Sequence, residues 1–182
     1  MEDLPFIPSL RRRGKRGGSK FKTIKGENSM INIKNILCPI DYSVYSEKAL
    51  SYAIEFAEKY QAKLYLMHVL DIRVYDINDP ALFNVNVVDK ETINKMKNRL
   101  LKCVNQDTHG KISLEAIVVE GVPFVEIIKA SKEYKIDLIV LGTHGRTGLS
   151  HAIMGSVAEK VVRKAPCPVL TVRHPEHNFV MP

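Results

Sequence analysis

The chain predicts an α/β fold: a single doubly wound, mainly parallel five-stranded sheet with helices on both faces. Three observations carry that expectation. From residue 31 onward, short apolar runs alternate with segments of helical periodicity. Several of the apolar runs lack in-out alternation, as strands buried on both faces do. Strands joined through helices are parallel, because such crossovers return the chain to the same sheet edge in a right-handed sense.

The first strand is the run Asn35-Ile36-Leu37-Cys38-Pro39-Ile40, broken at Asp41-Tyr42-Ser43, where Asp and Ser favour a turn and a helix cap. Between Ser46 and Tyr60, Ala49, Leu50, Ala53, Ile54 and Ala57 recur at helical spacing, leaving Glu47, Lys48, Glu55, Glu58 and Lys59 to face water. Lys63 to Val69 is the second strand, and a helix over roughly 90–106 follows, with Ile93, Met96, Leu100, Leu101 and Val104 as its stripe. Ser113 to Val119 is the third strand. Gly121-Val122-Pro123 turns the chain, and Pro123 suits the first helical turn, where its missing N–H costs nothing. Val125, Ile128 and Ala130 are the expected apolar side of that helix. Asp137-Leu138-Ile139-Val140-Leu141 is the most hydrophobic strand and is bounded by Gly142. The last helix is expected over about 155–164 with Val157, Val161 and Val162 inward; Pro166 ends it, and Val169 to Val172 form a fifth strand.

At 182 residues the chain suits one domain, and 45% hydrophobic with 26% charged residues is an ordinary globular balance. No apolar run is long enough to span a bilayer. Cys38, Cys103 and Cys167 stand apart with no C-x-x-C pairing, which argues against a disulfide framework or zinc ribbon. The set suits a reducing cytoplasm, with all three thiols as packing residues.

The net charge of +7 is unevenly placed. Residues 1–30 hold eight Lys or Arg against three acids, so +5 belongs to this arm and only +2 to the remaining 152 residues. Residues 11–29 are glycine-rich, charged and poor in apolar groups, so an N-terminal arm over 1–30 is expected to be disordered. It reads as a solvated tail ahead of a start at Met30, as an electrostatic arm for nucleic acid or another anionic partner, or as a targeting peptide, which Glu2 and Asp3 fit poorly. The folded domain is expected over 31–174, with a short tail over 175–182.

Open α/β sheets bind ligands beyond the carboxyl ends of their strands, where strand order reverses. The segment after the fourth strand, Gly142 to Ser156, holds four glycines and several hydroxyls between an apolar strand and a helix start. Glycines let backbone approach a ligand, and a helix N-terminus favours anions. There is no G-x-x-x-x-G-K-[ST], and the first strand–helix turn has no glycine, so the P-loop and the dinucleotide fingerprint are both absent. On these grounds the segment is either a phosphate or nucleotide site or a loop whose glycines merely cap strand and helix.

The spacing Gly142-x2-Gly145-x9-Gly155-Ser156 resembles the G-2x-G-9x-G-[S/T] motif of ATP-binding universal stress proteins. Ile36-Leu37-Cys38-Pro39-Ile40-Asp41-Tyr42-Ser43 is similar to that family's first strand and acidic turn. Gly121-x-Pro123 and Ala165-Pro166-Cys167-Pro168-Val169-Leu170 resemble its turn after the third strand and its entry to the last. The likeness spans about 34–173 and implies a Rossmann-like ATP-binding regulatory protein of the stress response. By that resemblance, Pro39, Ile40 and Asp41 border the adenosine, with Asp41 near the ribose, and Val69 offers its backbone to adenine. Gly142 and Gly145 lie against ribose and phosphates, and Gly155, Ser156 and Val157 hold the phosphates. Mg2+ or Mn2+ accompanies the nucleotide rather than occupying a protein cage. A homodimer through the last strand, Pro168 to Arg173, is also implied. Ile40 departs from the small polar residue that many relatives carry.

Around this motif, Thr143 and His144 belong to the candidate nucleotide contacts. His144 and His151 are packing or phosphate-contact residues rather than zinc ligands, since no third ligand stands near them in sequence. Arg146 either neutralises phosphate or is a solvated arginine. Asp41 is a helix cap or a ribose or metal contact. Ser43 and Ser46 read as caps, because no His and acid accompany them as in a nucleophilic triad. No catalytic residue is assigned, so any ATP hydrolysis is slow or incidental. A slow nucleotide-hydrolysing enzyme and a nucleotide-independent interaction protein remain the alternatives. Gly142→Val or Gly155→Val is expected to abolish binding and spare the fold.

Overall fold

The computed structural model describes residues 31–71, 89–105, 108, 110–145 and 154–173. The arm, the tail, Arg146 and His151 lie outside the described residues. The elements run β1 (Asn35–Pro39), α1 (Val44–Tyr60), β2 (Lys63–Asp71), α2 (Lys90–Leu101), β3 (Leu114–Gly121), α3 (Pro123–Glu133), β4 (Leu138–Gly142), α4 (Ser156–Lys164) and β5 (Val169–Val172).

The five strands form one sheet of order β3-β2-β1-β4-β5, with every pairing parallel. The chain winds outward from β1 to β3, then returns to set β4 on the other side of β1. Strand order therefore reverses between β1 and β4, the doubly wound arrangement expected from the alternation of runs.

Successive side chains along each strand enter opposite layers. Ile36 and Cys38 of β1, Leu64 and Leu66 of β2, and Leu138 and Val140 of β4 pack with Ala49, Leu50, Ala53 and Ala57 of α1 and Leu100 of α2. Leu37, Tyr65, Met67, Ile139 and Leu141 enter the other layer, with Ile127 and Ala130 of α3 and Ala158 and Val161 of α4. This two-sided burial explains the continuous apolar runs. The small residues of α1 let that helix lie close to β1 and β4.

Local signals set the element ends. Ser43 is the N-cap of α1, its hydroxyl accepting from Ser46 N at 3.3 Å. Asp89 caps α2 through Thr92 N at 2.7 Å. Pro123 stands in the first turn of α3. Asp137 ties the start of β1, accepting from Lys34 N at 2.8 Å and Asn35 N at 2.9 Å.

Three expectations are corrected. In α3 the buried face is Ile127, Ala130 and Ser131, because the helix starts at Pro123 and this phase faces the sheet; Ile128 and Val125 are only half-buried. In α4, Ala158 and Val161 are buried, while Val162 lies one step around the helix and is 45% exposed. Cys38 is fully buried, but Cys103, just past the end of α2, is exposed and is not a packing residue.

Candidate functional site

The reversal of strand order brings the carboxyl ends of β1 and β4 side by side, and the two segments that follow them meet there. Pro39 closes β1, and the buried Ile40 extends it, donating from its N–H to Met67 O at 2.7 Å. Asp41 then turns the chain. Its Oδ1 accepts from Ser43 N at 3.0 Å and from Ser43 Oγ at 2.6 Å, an Asx turn that leads into α1. The capping duty falls to Ser43, and Asp41 orients that cap rather than capping the helix itself.

From the β4 side, Gly142 ends the strand beneath α1. A Cβ on Gly142 would stand 2.8 Å from the backbone carbon of Tyr45, so only glycine lets this strand end pass under the helix. Thr143 N donates to Val172 O at 2.9 Å, and Thr143 O accepts from Gly155 N at 2.7 Å. A Cβ on Gly145 would lie 2.6 Å from Asp41 Oδ2. One on Gly155 would lie 3.3 Å from Thr143 O, with His144 Cα and Gly145 N also within 4 Å. Asp41, Gly145 and Gly155 are therefore gathered at one place, although 114 positions separate the first from the last.

The start of α4 faces this gathering. Gly155 is its N-cap and, as a glycine, makes no side-chain cap; the first-turn N–H groups at Ser156 and Val157 follow it. A helix start of this kind presents donors and the positive end of the helix dipole, which suits an anion such as phosphate. Ser156 is exposed and Val157 half-buried. Val69 lies on β2 beyond the last β1–β2 register pair, Pro39↔Met67, and pairs with Val119 on its β3 side. It borders the same end of the sheet.

His144 is buried and its ring lies 5.2 Å from that of Tyr45, while its Nδ1 stands 3.1 Å from Thr143 Oγ1. Among the described residues, no three His, Cys, Asp or Glu side chains are grouped to hold a metal ion. The described residues also include no helix long and apolar enough to cross a membrane.

Three residues of the site are not singled out by the sequence. Tyr45 is the floor against which Gly142 packs. Tyr42 adopts a left-handed backbone with φ of 64°, rare for a bulky residue. His68 is 6% exposed within β2 and its Nδ1 lies 2.7 Å from Ile40 O. A polar ring inside the apolar run Leu64 to Leu70 was the available signal for His68.

A family model described as the Universal stress protein family matches residues 32–173. Universal stress protein MJ0531 of Methanocaldococcus jannaschii is 34% identical over 143 residues, which cover 79% of this chain and 84% of that protein. The solved structure of universal stress protein UspA from Lactobacillus plantarum superposes with a TM-score of 0.61 at 28% identity, covering 78% of this chain and 99% of the other. A universal stress protein solved in complex with cAMP shares the fold, with a TM-score of 0.55 at 21% identity over 78% of this chain and 98% of the other.

Proposed function

The chain belongs to the universal stress protein family, and from that membership we propose that it is an ATP-binding regulatory protein of the stress response. One observation carries the nucleotide reading: Asp41, Gly145 and Gly155 converge beside the start of α4, whose N-cap is a glycine, at the point where strand order reverses. Crevices at that point of a doubly wound sheet take nucleotides.

In this reading Pro39, Ile40 and Asp41 line the nucleoside side, with the Asp41 carboxylate, held by Ser43, near the ribose. Val69 presents backbone to the adenine. Gly142 brings β4 close under α1 and so sets where Thr143 and Gly145 begin. Gly145 and Gly155 leave room that side chains would fill, and the N–H groups at Ser156 and Val157 take the phosphates. Arg146 supplies further positive charge. A divalent cation, Mg2+ or Mn2+, neutralises phosphate charge and arrives with the nucleotide.

We read the protein as a binder rather than an enzyme. Two titratable groups of the site are already engaged locally, Asp41 Oδ1 by Ser43 and His144 by Thr143 and Tyr45. A general base needs reach toward an attacking water. ATP would then act by favouring one arrangement of the protein. Pairing of β5, the terminal strand of the sheet, with a second copy through Pro168 to Arg173 would also cover an edge that otherwise invites association.

Purification without added nucleotide, followed by denaturation and mass spectrometry of released small molecules, tests the reading. Copurified adenine nucleotide at near-stoichiometric yield supports it. Its absence, together with no thermal stabilisation by ATP and magnesium, sinks it.

A further inference from the structure

The helix α2 contributes no residue to the motif, yet one of its side chains touches the turn that carries Asp41. Arg99 is exposed on α2, and its guanidinium carbon lies 4.2 Å from the centroid of the Tyr42 ring. Tyr42 directly follows Asp41 and holds the positive φ of 64°. A bulky residue stays in that region only when its surroundings hold it there. The same ring meets the ring of His68, with centroids 4.9 Å apart and planes at 52°. His68 Nδ1 in turn lies 2.7 Å from Ile40 O, and a carbonyl oxygen only accepts, so Nδ1 carries the proton. A continuous series of contacts thus leads from a solvent-facing guanidinium, through two rings, to the backbone of Ile40.

We infer that Arg99 is a positioning residue for the nucleotide site. Its attraction to the Tyr42 ring holds that ring against His68. This keeps the left-handed turn that aims Asp41 and leaves His68 in place to fix the Ile40 carbonyl. The inference rests on the nucleotide reading of the site, and it deepens that reading by making affinity depend on where α2 sits. Arginine suits the task because a guanidinium stacks on an aromatic face while remaining hydrated at its edge.

The test uses the full chain and the variants Arg99→Ala, Arg99→Lys and Lys95→Ala. Lys95 is an exposed control on the same helix, paired with Glu91 at 2.7 Å. Two quantities are read: NMR signals of Tyr42 and His68 without nucleotide, and calorimetric affinity for ATP with magnesium. Arg99→Ala should move the Tyr42 and His68 signals and weaken ATP about two- to fivefold, the size of an exposed cation–π contact. Arg99→Lys should restore most of the affinity, Lys95→Ala should leave both readouts unchanged, and unfolding temperatures should differ little throughout. Unmoved Tyr42 and His68 signals in Arg99→Ala overturn the inference. So does unchanged affinity in Arg99→Ala, or an equal loss in Lys95→Ala. If the parent chain binds no ATP, the proposed function fails, and the ring signals alone then decide whether Arg99 sets the turn.

Discussion

The Asp41 carboxylate reaches across the strand-order reversal to Gly145: its Oδ2 lies 2.6 Å from where a β-carbon on Gly145 would stand. The atom in the way is the far end of a side chain, so a methyl group there displaces Asp41 instead of breaking the backbone. Gly145→Ala is therefore expected to disturb the carboxylate's hydrogen bonds to Ser43 and to weaken ATP about tenfold, roughly 1.4 kcal/mol. The native fold should persist. Calorimetry beside circular dichroism checks both halves, and wild-type affinity in Gly145→Ala would show that Asp41 does not face the ligand.

Gly142 behaves differently. Its absent side chain would meet backbone of Tyr45 at 2.8 Å, and helix backbone cannot rotate aside. Gly142→Ala is expected to lose about 1–3 kcal/mol of stability, as overpacking does. Urea unfolding should show a lower midpoint with an unchanged slope. This alters the expectation from the motif alone, in which Gly142→Val removes binding and spares the fold. A Gly142 variant reports on packing first, and Gly145 and Gly155 are the cleaner probes of binding.

The three thiols should separate by reactivity. Burial pushes all three up, Cys38 far the most, since it is fully enclosed between β1 and α1. For Cys103 the nearby Arg99 works against that rise. Because the thiolate is the reactive form, alkylation mapped by mass spectrometry should find Cys103 first in the native protein and Cys38 only in denaturant. Native labelling of Cys38 at the rate of Cys103 would contradict the packing of β1.

Asp89 gives α2 a pH dependence. The hydrogen bond from Thr92 N holds its carboxyl below the usual carboxylate range. A depressed folded-state pKa contributes stability that is present above the unfolded value, near 4, and lost as pH falls through the folded one. The stability gap between the parent and Asp89→Ala should accordingly be constant near neutrality and shrink below about pH 4. A gap that grows on acidification would contradict the cap.

The fold was legible because burial on both faces writes itself as unbroken apolar runs: Leu138 to Leu141 could only be an inner strand. Helix phase was less legible. Val162 and Ile128 are as apolar as Val161 and Ile127, and only the starts at Ser156 and Pro123 decide which of them turns inward. Glycine spacing located the Gly142, Gly145 and Gly155 segment but carried no information about what each glycine faces. Tyr45, Tyr42 and Arg99 act through contacts between elements distant in sequence, which periodicity does not reveal, and for His68 the one signal was a polar ring inside an apolar run.

The proposed function requires the meeting point of Asp41, Gly145, Gly155 and the α4 start to hold ATP. Calorimetric titration of nucleotide-stripped protein with ATP and magnesium, run beside Gly155→Val, decides whether it does. Saturable binding by the parent at cellular ATP levels, abolished in a folded Gly155→Val variant, is the predicted result. No binding heat in the parent, or the same affinity in both proteins, would contradict it.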